Sequence, residues 1–274
     1  MPVIAITREM GSLGKDVAQG VAESLGLPVI YHEVIDHLAD RMRVRKSHVI
    51  RLLDGSAGLL ERLSADKTSL AVFTADEIFG LAASGKGAVI RGWGATHLLR
   101  GVPHAVCVRV CAPFDVRRSR MMQRLATDDG EAVAGEIRAN DEAHGAIMRR
   151  HFDLQWTDPE NYDVVLNTQR VTVGECVAEV LALAKAPQFA ETDDSRRKLD
   201  DLALAARVRA ALRRAPETRD ARAQVGAADG RVTLSGASST DEMLAFVEVA
   251  STVPGVRDVA YRTPSGDEVQ PRLH

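Results

Sequence analysis

The chain opens with Val3-Ile4-Ala5-Ile6-Thr7-Arg8-Glu9-Met10-Gly11-Ser12-Leu13-Gly14-Lys15-Asp16-Val17-Ala18, and this stretch decides the fold. A short apolar run predicts a strand. It breaks into a Gly/Ser loop with a lysine, and a helical pattern follows at once. Val17, Val21, Ala22 and Leu25 recur at helical spacing until Gly26 and Pro28 stop it. A strand, a glycine loop and a helix N-terminus make an anion cradle, because free backbone N–H groups and the positive end of the helix dipole point at one place. Against the usual G-x-x-x-x-G-K-[ST] pattern, Gly14-Lys15 fits. Glu9 stands where the first glycine belongs, and Asp16 replaces the hydroxyl residue that would hold magnesium. Spacing alone leaves two readings open: a phosphate cradle, or a tight strand-to-helix turn with a surface lysine.

Composition narrows the class. The chain has 274 residues, enough for one large or two ordinary domains. Apolar residues make up 45% and charged residues 27%, a globular profile. A net charge of −3, from 35 basic and 38 acidic residues, gives no general attraction to nucleic acid or to an anionic membrane. No apolar run is long enough to span a bilayer, and Arg8 and Glu9 follow the first strand, so no secretory signal is expected. The three cysteines are too few and too unevenly spaced for a disulfide framework. Cys107 and Cys111 alternate onto one strand face and read as buried free thiols in a reducing cytoplasm. The histidines, including His32, His37, His97 and His151, have no metal-ligand spacing, and no protein metal site is predicted.

Strand and helix signals alternate through the first part. Strands are predicted at Val3–Thr7, Pro28–Tyr31, Ala88–Arg91, His104–Cys111 and Tyr162–Asn167, with mostly helix from Glu33 to Ser84. Thr74-Ala75-Asp76-Glu77 has the form of a capping box, opening a helix that Gly85 closes. Pro113 fits just inside another helix start, and Thr172 to Glu175 caps a last helix. This order implies a parallel sheet flanked by helices, with ligands at the carboxyl ends of the strands. Residues 186–198 carry a proline and a charge run and read as a linker. The remainder reads as a small α+β domain over 199–266, ordered helix, hairpin, helix, strand. The hairpin turns at Asp229-Gly230.

Several separated segments together resemble the cytidylate kinase-like family, P-loop relatives of the nucleoside monophosphate kinases. They are Ile6 to Lys15, Leu25-Gly26-Leu27-Pro28, Gly85 to Ala95, Ala112-Pro113 with Arg117 and Arg120, and Asn161 to Thr168. The resemblance covers residues 1–185 and implies a P-loop kinase-type fold with a helical monophosphate-binding region and an arginine-bearing lid. The second part resembles a BON domain, carried by Asp229 to Gly236 and Val253 to Val259.

The resemblance implies an ATP- and Mg2+-dependent kinase acting on a nucleoside monophosphate, with CMP a candidate acceptor and the BON domain a regulatory or interaction module. Gly11, Ser12, Leu13, Gly14, Lys15 and Asp16 would hold the donor phosphates. Arg117, Arg120 and Arg124, at i, i+3 and i+7, would share a helix face and close over the transferred group, since phosphoryl transfer needs positioning and charge neutralisation above all. The same face also reads as a solvated one with salt bridges. Asp141 is the candidate carboxylate for magnesium or a lid arginine. Three positions depart from the family pattern: Tyr31 stands for an expected aspartate, and Trp93 and His144 for expected arginines. Nearby Arg91, Arg149 and Arg150 are candidate replacements, and Trp93 reads as stacking on a base or packing on the sheet. These departures keep a second function open, a nucleotide sensor that no longer transfers phosphate and signals through the BON domain. No nucleic-acid or membrane partner is expected. A lipid or protein partner for the BON domain and homo-oligomerisation stay open.

Overall fold

The structure is a computed structural model that describes residues 1–42, 45–47, 49, 67–92, 94–263, 265 and 268–269. The opening apolar run forms β1 (Val3–Arg8), the central strand of a five-stranded parallel sheet. Its neighbours are β3 (Ala88–Arg91) on one side and β4 (Ala105–Cys111) on the other. β2 (Val29–Ile30) and β5 (Val164–Asn167) lie at the edges, giving the order β2-β3-β1-β4-β5. β2 and β3 lie to one side of β1 and β4 and β5 to the other, so the chain changes direction beside β1. Ligands bind at such switch points, outside the carboxyl ends of the strands.

Helix α1 (Gly14–Leu25) and α2 (His32–Met42) follow the first two strands, and α3 (Lys67–Ala82) precedes β3. The short helix α4 (Ala95–Leu98) follows β3. Helices α5 (Phe114–Leu125) and α6 (Gly130–Phe152) come between β4 and β5, and α7 (Val173–Ala184) follows β5. Ile4, Ile6, Val89, Val106, Val108 and Val110 on one face of the sheet bury Val17 and Val21 of α1 and Cys176 and Val180 of α7. α1 ends at Gly26, whose φ of 64° is a left-handed cap. α7 starts with a complete capping box, Thr172 and Glu175 exchanging both bonds.

Two sequence expectations change. Thr74 opens no helix: it lies buried inside α3, which begins at Lys67, and its hydroxyl has no partner among the described residues. Pro113 occupies the N-cap of α5, one position before the expected place. The stretch 186–198 contains a 3-10 turn, Pro187–Phe189, and the first turns of α8 (Asp193–Arg214).

The chain divides into two compact units, one of Met1–Ala65 with Ser84–Glu191 and the other of Asp66–Ala83 with Thr192–His274. In the second, β6 (Gln224–Ala228) and β7 (Arg231–Ser235) form a hairpin through Asp229 and Gly230, both at positive φ. Helix α9 (Thr240–Ser251) carries the chain to β8 (Asp258–Arg262), parallel to β7, and β9 (Glu268–Val269) completes a four-stranded sheet. Leu204, Val208 and Leu212 of α8 pack with Phe246 and Val247 of α9 on Val225, Val232 and Leu234. α3 packs along α8, where Arg213 Nε donates to Ser69 Oγ at 2.7 Å and Arg196 Nη2 to the Ala83 carbonyl at 2.5 Å.

Candidate functional site

β1 delivers the chain into a loop whose geometry only its glycines allow. Gly11 has φ 79°, and a Cβ there would lie 2.8 Å from the Arg117 carbonyl oxygen. A Cβ on Gly14 would lie 2.5 Å from Arg8 Cβ. Leu13 is left-handed, φ 61°, and its carbonyl accepts from the amides of Asp16 and Val17 at 3.0 and 3.1 Å. The amides of Gly11, Leu13, Gly14 and Lys15 donate to no acceptor among the described residues. They lie at the N-terminus of α1, where Lys15 and Asp16 are exposed. Ser12 is fully buried; its carbonyl accepts from Thr168 Oγ1 at 2.8 Å, and its hydroxyl has no partner among the described residues.

Behind this loop lies an ion network that the sequence did not reveal. The Glu9 carboxylate accepts from Arg109 Nη2 at 2.6 Å and from the Ala112 amide at 3.1 Å, and Arg117 Nε lies 3.4 Å from it. Arg117 then holds Asp141 with two parallel bonds of 3.2 and 2.8 Å. The predicted residues Arg117 and Asp141 are thus brought together, each occupied by the other, directly behind Met10. Arg120 donates to Thr168 at its hydroxyl, 2.9 Å, and carbonyl, 2.7 Å, so it braces the end of β5 against the loop. Arg124 is not brought to this group: it is exposed near the end of α5, with no ion pair among the described residues. Met10 packs with Met121, Val133 and Ile137 of the α5–α6 pair.

A second set of cations lies at the same end of the sheet. Arg91, the last residue of β3, is buried with its guanidinium 3.9 Å from the centre of the Tyr31 ring. Burial and then Arg8 lower its pKa below the ordinary arginine value. His144 Nε2 lies 3.5 Å from Thr7 Oγ1, and its ring meets Trp156 edge-on at 4.4 Å. Burial, with Arg8 and Arg109 nearby, brings the imidazole down to about 4, so it is neutral at pH 7. His97 lies in the packing of α4 against Phe152, and burial lowers its pKa. Trp93 and the side chains of His32 and His151 lie outside the described residues.

Among the described residues no three His, Cys, Asp or Glu side chains are grouped to hold a metal. Asp16 is exposed beside the undonated amides, and Asp141 is held by Arg117. Among the described residues no helix is long and apolar enough to cross a membrane.

The family model described as the cytidylate kinase-like family matches residues 3–170, which is most of the chain. The chain belongs to the cytidylate kinase-like family. Residues 200–262 match the BON domain. An uncharacterized protein from Eubacterium ventriosum is similar in structure at 20% identity, covering 68% of this chain and 99% of its own, with a TM-score of 0.52. A shikimate kinase from Acinetobacter baumannii matches at 12% identity, 67% and 92% coverage and a TM-score of 0.39. A gluconokinase from Sinorhizobium meliloti matches at 16% identity, 67% and 91% coverage and a TM-score of 0.40. The first of these supports the fold alone. A search of curated protein sequences finds no match. In this member of the family, the loop with Glu9 and Asp16 at two motif positions lies at the switch point of the parallel sheet.

Proposed function

We propose that the first unit is a nucleotide-dependent phosphotransferase of the nucleoside monophosphate kinase type. Its donor is ATP with Mg2+, and its acceptor is a nucleoside monophosphate, CMP among the candidates. The observation that carries this reading is the set of amides of Gly11, Leu13, Gly14 and Lys15 at the start of α1, which donate to no acceptor among the described residues, with the exposed Lys15 beside them to add a full charge. Lys15 and these amides would hold the donor phosphates, and Asp16, exposed beside them, would hold the magnesium. When bound, magnesium supplies charge neutralisation to the phosphates. Arg117 and Asp141 fix the approach of α5 and α6 to the loop, and Arg120 fixes Thr168 behind it. The BON domain serves as a regulatory or interaction module. Cys107, Cys111 and Cys176 are free thiols, in keeping with a reducing cytoplasm.

A second reading, a nucleotide sensor without transfer, is favoured by one feature: both lid arginines that reach the loop are already engaged, Arg117 with Asp141 and Arg120 with Thr168. Thermal shift with ATP and magnesium, followed by ADP release across a monophosphate panel, separates the two. ATP raises the melting temperature in both, because a ligand of the folded form stabilises it by mass action. Only the kinase releases ADP in response to an acceptor. Lys15→Ala is expected to weaken ATP binding by about tenfold or more. Unchanged affinity in that variant rejects the loop as the donor site.

A further inference from the structure

The small sheet of the second unit has two edges, and they differ. At one, β9 is only Glu268–Val269, and Glu268 accepts from Arg231 Nη2 at 2.9 Å and Arg262 Nη2 at 3.1 Å. A short, charged edge resists further pairing. The other edge is β6, Gln224-Val225-Gly226-Ala227-Ala228, with no charge and no proline. Its register with β7 runs unbroken from Gln224↔Ser235 to Ala228↔Arg231, so no bulge turns it aside. The strand itself carries none of the devices that blunt an edge.

The two-residue turn at Asp229 and Gly230 fixes which backbone groups face out. It makes Ala228 and Arg231 a hydrogen-bonded pair, and Gly226 and Gln224 follow at every second residue. The amides and carbonyls of Val225 and Ala227 therefore point away from β7. Both amides and the Ala227 carbonyl have no partner among the described residues. The Val225 carbonyl accepts from Arg209 Nη2 of α8 at 2.5 Å and keeps a second lone pair. The strand is reachable. Gln224, Gly226 and Ala228 are exposed, and all five of its residues line an open groove of about 400 Å³. Only β7 and α8 pack along it among the described residues.

The charges at its two ends say what fits. Arg222 precedes the strand and Asp229 follows it. Both are exposed, and neither makes an ion pair among the described residues. A second β6 running antiparallel, with Gly226 opposite Gly226, sets Val225 of each copy against Ala227 of the other. These are the residues whose backbone groups face out, so each pair can exchange both of its N–H···O bonds about a two-fold axis. The same arrangement brings Arg222 of each copy toward Asp229 of the other, whereas a parallel one would set like charges together. We propose that β6 is the docking edge for a second copy of this chain, joining the two four-stranded sheets antiparallel into one. This surface is independent of the nucleotide reading of the first unit.

The test is sedimentation equilibrium of the full chain across the micromolar range, with hydrogen exchange over the same range. The wild type is expected to pass from monomer to dimer as concentration rises, and the Val225 and Ala227 amides to gain protection in step. The amides of β7, already paired on both sides, do not change. A Cβ on Gly226 would meet no atom closer than 4.0 Å, so Gly226→Lys leaves the hairpin intact. It sets two lysines together at the axis, and the dimer dissociation constant is expected to rise by about tenfold or more. Ala227→Pro removes an outward amide and no bond to β7, and is expected to act in the same direction. Arg222→Glu places like charges together at both ends; lying on the exposed surface outside the ladder, it answers the question if the strand variants do not fold. Three results overturn the proposal: a wild type that stays monomeric throughout, a dimer whose constant is unchanged in all three variants, or a dimer in which the Val225 and Ala227 amides exchange as fast as in the monomer. Protection of those amides in a chain that stays monomeric assigns the edge to another segment of the same chain and rejects the second copy.

Discussion

Glu9 brings a negative charge into a loop that favours anions, and its partners explain how the fold carries it. Arg109, the Ala112 amide and Arg117 surround the carboxylate, so its charge is spent behind the loop and not on the ligand side. Deleting the Glu9 carboxylate leaves Arg109 buried without a counter-charge among the described residues, while Arg117 keeps Asp141. Glu9→Ala is expected to destabilise the first unit by about 3 kcal/mol, read from urea unfolding followed by tryptophan fluorescence. A loss near zero would mean that water replaces the carboxylate freely. His144 gives a second prediction from the same neighbourhood. Its pKa falls from the ordinary 6.5 of an unfolded histidine to about 4 in the fold. The unfolded chain therefore takes up a proton at a pH where the folded one does not. The stability this residue contributes is complete above pH 6.5 and is lost as the pH falls toward 4, by an amount on the order of 3 kcal/mol. The difference between the wild type and His144→Gln isolates it from the titration of carboxylates, and a difference that stays flat across that window rejects the neutral imidazole. The sequence showed His144 only as a lost arginine, and Glu9 only as a misfit to the loop pattern. Spacing cannot reveal a partner a hundred residues away, and Arg109 lies at that distance from Glu9. Lys15 and the glycines were legible because their chemistry is local.

α1 and α7 approach closely because α1 has no side chain at the contact. A Cβ on Gly20 would lie 2.8 Å from Val177 Cγ2. Gly20→Val is expected to cost about 1–3 kcal/mol through overpacking, and Val177→Ala in the same chain to recover part of it. Both are measured by denaturation, with ATP affinity unchanged, because the contact lies away from the loop. If the double variant is no more stable than Gly20→Val, the two residues are not the point of contact. The elements that sequence periodicity identified well were those with one buried face, such as α1, where Val17, Ala18, Val21 and Ala22 are buried. α3 was harder. Leu70, Phe73, Ile78, Phe79 and Ala82 are buried on it together with Ser69, Thr74, Asp76 and Glu77, so no single stripe marks its start. Thr74 and Glu77 then imitated a cap inside it. The start of α8 was hidden for a different reason. Asp193 and Asp194 in its first turn complement the helix dipole, and Thr192 caps it through Ser195, yet the same residues read as the charge run of a linker.

The two compact units do not divide the chain at one point. The family match spans residues 3–170 without a break, yet α3, inside that span, packs along α8 and belongs with the C-terminal unit. The chain therefore leaves the first unit after Ala65 and returns at Ser84, ahead of β3. No single-sequence pattern marks such an excursion, because the periodicity of a helix tells which face is apolar and not which partner covers it. Segments that pack together open together, so hydrogen exchange reads this division directly. Arg213→Ala removes the bond from α8 to Ser69 Oγ on α3. The amides of α3 and α8 are then expected to lose protection in step, by about 1 kcal/mol for the lost hydrogen bond. Those of β1 and β4 keep theirs, since no bond in their sheet is touched. If α3 instead exchanges in step with β1 and β4 while α8 is unaffected, the helix belongs to the parallel sheet's cooperative unit, and the C-terminal domain has no direct hold on the segment that joins β2 to β3.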